Sequence, residues 1–132
     1  MISVPKGALR LAALRLLSES SLSGDGLTKS ISRLSAGEWA PGPGSVYLIL
    51  SELLKKGLIT ELPKREGNER RYIISSKGKA ELARLSKEAG RDVERLVRLL
   101  EVYASLSGDG ELERRVRGAS QTFLGGPTAG KA

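Results

Sequence analysis

Leu9, Ala12, Ala13, Leu16 and Leu17 recur at three- and four-residue steps behind Pro5, a spacing that predicts a mostly buried helix ending near Ser18. Ser20 to Gly26 is rich in Ser, Gly and Asp, which predicts a turn able to cap the next helix. Leu27, Ile31 and Leu34 resume the helical step, with Thr28, Lys29, Ser30 and Arg33 on the other face. A connection from Ala36 to Gly44 holds the single tryptophan, Trp39, and the rigid run Pro41-Gly42-Pro43-Gly44. A third helix is expected from about Ser45 to Lys56. Val46, Leu50, Leu53 and Leu54 form its inner face, and Gly57 stops it.

The period then switches. Leu58 to Leu62 alternates like a half-exposed strand, Pro63 ends it, and Lys64 to Arg70 forms a charged loop with a turn-forming Gly67-Asn68. Arg71 to Ser75 is the returning strand. Ser76 is the expected cap of a long final helix, which Gly78 and Gly90 weaken without breaking. Leu82, Leu85, Ala89, Val93, Leu96, Leu100 and Tyr103 form a seam on that helix close to a coiled-coil repeat, with one slip near Gly90. Such a helix is longer than one small domain can cover, so its outer half should bury the seam against a second chain. After Ser107-Gly108-Asp109-Gly110 the sequence has a short charged stretch, then a Gly/Ala/Pro/Thr-rich end.

These elements predict a mostly α fold with a small antiparallel β-wing: a winged helix-turn-helix followed by a long C-terminal dimerisation helix. The expected boundaries are residues 1–78 for the DNA-binding domain, 79–107 for the dimerisation helix and 108–132 for a flexible tail.

Charge sharpens this picture. The chain has 132 residues and a net charge of +7, and residues 29–79 carry ten Lys or Arg against five Asp or Glu. The excess lies on the segment that reads as helix-turn-helix plus wing, where a phosphate-facing surface belongs. Lys64, Arg65, Arg70 and Arg71 are placed for phosphates or a narrow minor groove, with Asn68 between them and Lys29 and Lys55 on the helices. On the third helix Ser45, Leu48, Ile49 and Ser51 face outward, and Leu48 or Ile49 suits contact with a thymine methyl. No Arg, Asn or Gln lies on that helix, so specificity should lean on shape and on the wing. The duller reading of the wing is a solvated hairpin.

Other chemistry is sparse. The chain has no His and no Cys, which removes the usual general base, the thiol nucleophile and most metal ligands. The expectation is therefore no enzyme, no metal and no cofactor. Gly42-Pro43-Gly44 lacks the Gly-Lys-Ser/Thr ending of a nucleotide phosphate loop. No apolar run approaches the length of a membrane span and no secretory leader is visible, so no membrane partner and a cytoplasmic location are expected.

From about Leu9 to Leu85 the chain resembles the PadR-type winged-helix transcriptional regulators. The resemblance rests on Trp39-Ala40-Pro41-Gly42-Pro43-Gly44-Ser45-Val46-Tyr47, on Leu50 and Leu53, and on Gly57-Leu58-Ile59. The wing running into Arg70-Arg71-Tyr72-Ile73-Ile74 and then Ser76-Lys77-Gly78 fits as well. The single helix after the wing is similar to the compact branch of that family. The resemblance implies Ser45, Tyr47, Leu48 and Ser51 as groove-facing residues on double-stranded DNA. It further implies a homodimer docked through the first and last helices, with Leu9, Leu16, Leu85, Ala89, Val93, Leu96, Leu100 and Tyr103 at the interface. Such regulators repress at palindromic promoter sites and often release on binding a small-molecule effector.

Two departures limit the carry-over. Ser23-Gly24-Asp25-Gly26-Leu27 replaces the His-Gly-Tyr-like lead-in to the second helix, and no tryptophan lies on the last helix, where Tyr103 is the aromatic. No ligand pocket is carried over. The alternative reading is a winged-helix module for protein or RNA, without sequence-specific DNA binding.

Overall fold

The computed structural model describes residues 4–5, 7–64 and 69–125. The order is α1 (Ala8–Glu19), β1 (Leu22–Ser23), α2 (Gly24–Leu34), α3 (Pro43–Lys55), β2 (Ile59–Glu61), β3 (Arg71–Ile74), α4 (Ser76–Leu106) and α5 (Gly110–Leu124). Three helices and a three-stranded antiparallel sheet of order β1-β3-β2 make a winged helix, and a long helix follows the sheet. The chain divides into two compact units, residues 1–86 and 87–132. The first ends inside α4 rather than at residue 78.

In the first unit the core gathers the inner faces the periodicity marks. Leu14, Leu17, Leu27, Ile31, Val46, Leu50, Leu53 and Ile59 are its largest fully buried side chains, and Leu82 joins them from α4. Full burial of each aliphatic side chain contributes roughly 1.5–3 kcal/mol against chain entropy. Trp39 packs part-buried on this cluster, and its backbone N–H donates to Ser35 Oγ at 2.7 Å, fixing the connection that feeds α3.

Three local details differ from the sequence expectation. Ser20 to Gly26 is not only a turn: Leu22 pairs with Tyr72 and Ser23 with Arg71, so this segment adds a third strand. α2 accordingly starts at Gly24, with Ser23 Oγ accepting from Gly26 N–H at 3.0 Å as its cap. The cap of α4 is Ser75, not Ser76, since Ser75 Oγ accepts from Gly78 N–H at 3.0 Å.

Gly78 shows why that helix begins where it does. A Cβ there would lie 2.0 Å from the Leu58 carbonyl oxygen and 2.7 Å from Ile74 Cγ1. The residue that weakens a helix by propensity is here demanded by close approach to the sheet.

The second unit corrects the expected tail. Residues 110–124 form α5, capped by Asp109, whose Oδ1 accepts from the N–H groups of Glu111 and Leu112 at 3.1 and 3.0 Å. The helix pairs with α4 through a polar clamp. Ser120 Oγ donates to Glu101 Oε2 at 2.6 Å, and Arg117 stands 4.0 Å from the same carboxylate. Ala104 and Ser120 are buried at this contact. The physical reason is a helical stripe, Leu112, Val116, Ala119 and Phe123 at i, i+4, i+7 and i+11, which a charged composition obscures. The rest of the expected tail, 126–132, lies outside the described residues.

Candidate nucleic-acid interface

α3 begins on Pro43, which presets the helical backbone and has no N–H to orphan. Gly42 caps it without a side-chain hydrogen bond, so the N–H groups of Gly44 and Ser45 open the helix with no intrahelical partner. The other end is closed firmly. Gly57, at φ +73°, lets Leu58 N–H reach Leu53 O at 2.9 Å and Gly57 N–H reach Leu54 O at 3.0 Å, the paired bonds of a Schellman stop.

With Val46, Leu50 and Leu53 buried, the opposite side must face solvent. Gly44, Leu48, Ser51 and Lys55 fall within an arc of about 60° at 100° per residue, and all four are exposed. Leu48 is 71% exposed, an apolar side chain offered to solvent at the centre of a polar stripe. Ser45 and Tyr47 flank this stripe and are exposed too. Ile49 is not available in the same way, because it packs part-buried against the core. Of the two candidates for a thymine methyl, the accessible one is Leu48.

Tyr47 is exposed yet anchored. A Cβ on Gly24 would come within 2.8 Å of Tyr47 Cε1 and 3.0 Å of its Cζ, so the phenol ring lies on the α2 start where only glycine leaves room. Sequence reasoning missed this contact. Its signal was the glycine placed directly after the Ser23 cap.

The lone carboxylate of α3 is neutralised from two sides. Arg10 on α1 forms an ion pair with Glu52 Oε1, and Lys56 Nζ lies 3.1 Å from the same oxygen. The Lys56 hydrogen bond and the Arg10 charge hold the Glu52 carboxyl below the usual carboxylate range. The outward stripe therefore carries no uncompensated negative charge to repel phosphate.

The expected wing residues separate. Lys64 and Arg70 are exposed, and Arg70 Nε stands 3.9 Å from Glu61 on β2. Arg71 turns back onto its own domain: its guanidinium donates to Ser21 O at 2.7 Å and reaches Ser21 Oγ at 3.3 Å, tying β3 to the chain before β1. Arg65 and Asn68 lie outside the described residues. On α2, Lys29 is exposed and paired with Asp25 at 3.0 Å.

The residues expected at a dimer contact fall into two groups. Leu9, Leu16 and Leu85 pack part-buried against the core of their own chain. Val93, Leu96, Leu100 and Tyr103 are exposed along outer α4, joined by Leu99, Val102 and Leu106, and Ala89 is half-buried. Among the described residues no group of three or more acidic side chains is gathered for a metal ion, and no helix is long and apolar enough to cross a membrane.

Comparison with known proteins agrees with this architecture. Residues 13–84 match the Transcriptional regulator PadR-like family. The transcriptional regulator YqjI of Escherichia coli K12 is 30% identical over 108 residues, covering 82% of this chain. The chain spans about half the length of the curated relatives it matches, 51%. Among solved structures, a transcriptional regulator from Clostridium thermocellum superposes with a TM-score of 0.67 at 20% identity, covering 73% of this chain and 95% of the other. The Bacillus subtilis PadR in complex with operator DNA gives 0.52 at 20% identity, with 78% and 72% covered. At those identities the solved structures speak to the fold. The family is one of regulators, not enzymes, and by sequence match over more than half its length this chain belongs to the PadR-like transcriptional regulators.

Proposed function

We propose that the protein is a sequence-specific DNA-binding regulator that works as a homodimer, represses at a palindromic promoter site and responds to a small-molecule effector. One observation carries the DNA reading: α3 buries one face completely and exposes the other as Gly44, Leu48, Ser51 and Lys55, with Ser45 and Tyr47 beside it. A helix of this kind suits the major groove, with the free N–H groups of its first turn available to a backbone phosphate. Lys64, Arg65, Asn68 and Arg70 would follow the adjacent backbone, and Arg71 would reach it only by leaving Ser21. Lys29 would add charge from α2.

The dimer reading is supported by outer α4, where Val93, Leu96, Leu100 and Tyr103 line an exposed apolar seam on a helix of 31 residues. Leu9, Leu16 and Leu85 would contribute the part of their surface that the core leaves uncovered. A twofold dimer then predicts two half-sites separated by roughly 34–36 Å or a multiple of that.

Selection of bound duplexes from a random pool tests the reading directly. A pseudo-palindrome bound roughly a thousandfold or more above random duplex is the expected result. Weak binding without any preferred sequence would instead favour a protein- or RNA-interaction module.

A further inference from the structure

Arg71 on β3 and Tyr47 on α3 belong to different elements, and the short β1 joins them. Arg71 Nη2 donates to Ser21 O at 2.7 Å, and its Nε and Nη2 both reach Ser21 Oγ at 3.3 Å. Ser23, two residues on, pairs with Arg71 across the sheet, and its buried side chain caps α2 by accepting from Gly26 N–H. Gly24 follows directly. A Cβ there would stand 2.8 Å from Tyr47 Cε1 and 3.2 Å from its hydroxyl oxygen. We propose that Arg71 is a positioning residue for DNA recognition. It stays on Ser21 when DNA binds, sets Gly24 through β1, and so fixes the Tyr47 ring beside the outward stripe of α3.

Three observations carry the assignment. Although exposed, the Arg71 guanidinium is committed to two acceptors on Ser21, a planar fork used on two oxygens at once. Its neighbour Arg70 is exposed and stands 3.9 Å from Glu61, so the hairpin offers a less committed cation to phosphate. β1 is only two residues long, so its place depends on two ladder pairs and on this fork. Tyr47 is 56% exposed and rests on Gly24 with the remainder of its ring. A displacement of β1 therefore passes through packed atoms to a side chain beside the groove-facing stripe.

This deepens the DNA reading and rests on it, so one arm of the test uses the full chain without DNA. Fluorine NMR of the chain labelled with meta-fluorotyrosine reports on its three tyrosines, and Tyr47→Phe assigns the Tyr47 signal. Arg71→Gln should shift that signal, and Arg70→Gln should leave it in place. The other arm measures preference for a duplex selected by the native chain over random duplex. Arg71→Gln should lower that preference about tenfold, equivalent to about 1.4 kcal/mol. Arg71→Lys should lower it as much, since lysine keeps the charge and loses the fork. Arg70→Gln should weaken all duplexes alike. In a Tyr47→Ala background, Arg71→Gln should lower preference no further.

An unmoved Tyr47 signal in Arg71→Gln overturns the proposal. So does native affinity and preference in Arg71→Lys, the behaviour of a plain phosphate contact, or additive losses with Tyr47→Ala. If the native chain selects no duplex, the regulator reading fails, and the fluorine arm alone still decides whether Arg71 places Tyr47. Circular dichroism checks folding. If Arg71→Gln unfolds, Ser21→Ala, which removes only the hydroxyl acceptor, should move the Tyr47 signal, and a signal left in place overturns the proposal.

Discussion

Gly78 and Gly90 both sit inside α4, yet they carry opposite predictions. A methyl on Gly78 would run into the Leu58 carbonyl, a backbone atom that can move only if the sheet moves. Gly78→Ala should therefore cost about 3 kcal/mol or more. Nothing lies within 4 Å of a Cβ on Gly90, so Gly90→Ala should stabilise by about 0.5–1 kcal/mol through helix propensity alone. Urea unfolding of the two variants measures both. At Gly24 the neighbour is a side chain, and the expectation changes accordingly. Gly24→Ala should displace the Tyr47 ring and weaken DNA affinity more than it lowers stability, whereas Tyr47→Phe should leave the packing intact. Equal losses of affinity and stability in Gly24→Ala would show that the ring has no separate part in binding.

Between elements, the Arg10–Glu52–Lys56 group links α1 to α3 and makes stability depend on pH. The Glu52 carboxyl is held below its ordinary value in the folded chain. Its contribution is therefore complete above the ordinary carboxylate range and is lost as pH falls through the lowered folded value. Melting temperature should drop more steeply on acidification in the native chain than in Glu52→Gln, and parallel curves would refute the link. On outer α4, Val93→Glu combined with Leu96→Glu should convert the proposed dimer to monomers in sedimentation without loss of helix content, because both side chains are exposed in the single chain; sedimentation unchanged by the pair would refute that seam.

How far these elements could be read from sequence follows the range of the interactions that make them. α3 and its glycine stop were legible because Pro43, the buried period and Gly57 all act within a few residues of one another. β1 was not: it is two residues long and exists only through pairing with Arg71 and Tyr72, about fifty positions away. The Arg71 tether to Ser21 was hidden for the same reason, since an arginine in a basic hairpin reads as a phosphate contact until its partner is in view. α5 failed differently. Its apolar stripe was present, but Gly118, the arginines and the following Gly/Pro-rich end outweighed it.

At the scale of the whole molecule the cationic excess and the exposed face of α3 predict separable effects. Arg70→Glu should lower affinity for all duplexes alike and make the salt dependence shallower, as loss of a phosphate contact does. Leu48→Ala should instead change which sequences are preferred, by removing the accessible apolar contact of α3. Arg71→Glu should lower stability as well as affinity, because its guanidinium also holds Ser21. Filter binding across a salt series and a repeated duplex selection distinguish these outcomes. An Arg70→Glu variant with native affinity would remove the wing from the interface.

Ser75 has a consequence for how such a domain can diversify. Its backbone N–H donates to Leu58 O at 3.0 Å and its hydroxyl to Gly57 O at 2.6 Å, while Lys77 Nζ reaches Lys56 O at 2.9 Å. The β2–β3 hairpin is thus stitched to the body at its base, and β1 holds it further along at Arg71 and Tyr72, so that only what lies beyond them stands out like a tab. Its outer part can be lengthened, recharged or exchanged while the stitching holds, which leaves operator preference free to drift with the tab and the helical body unchanged.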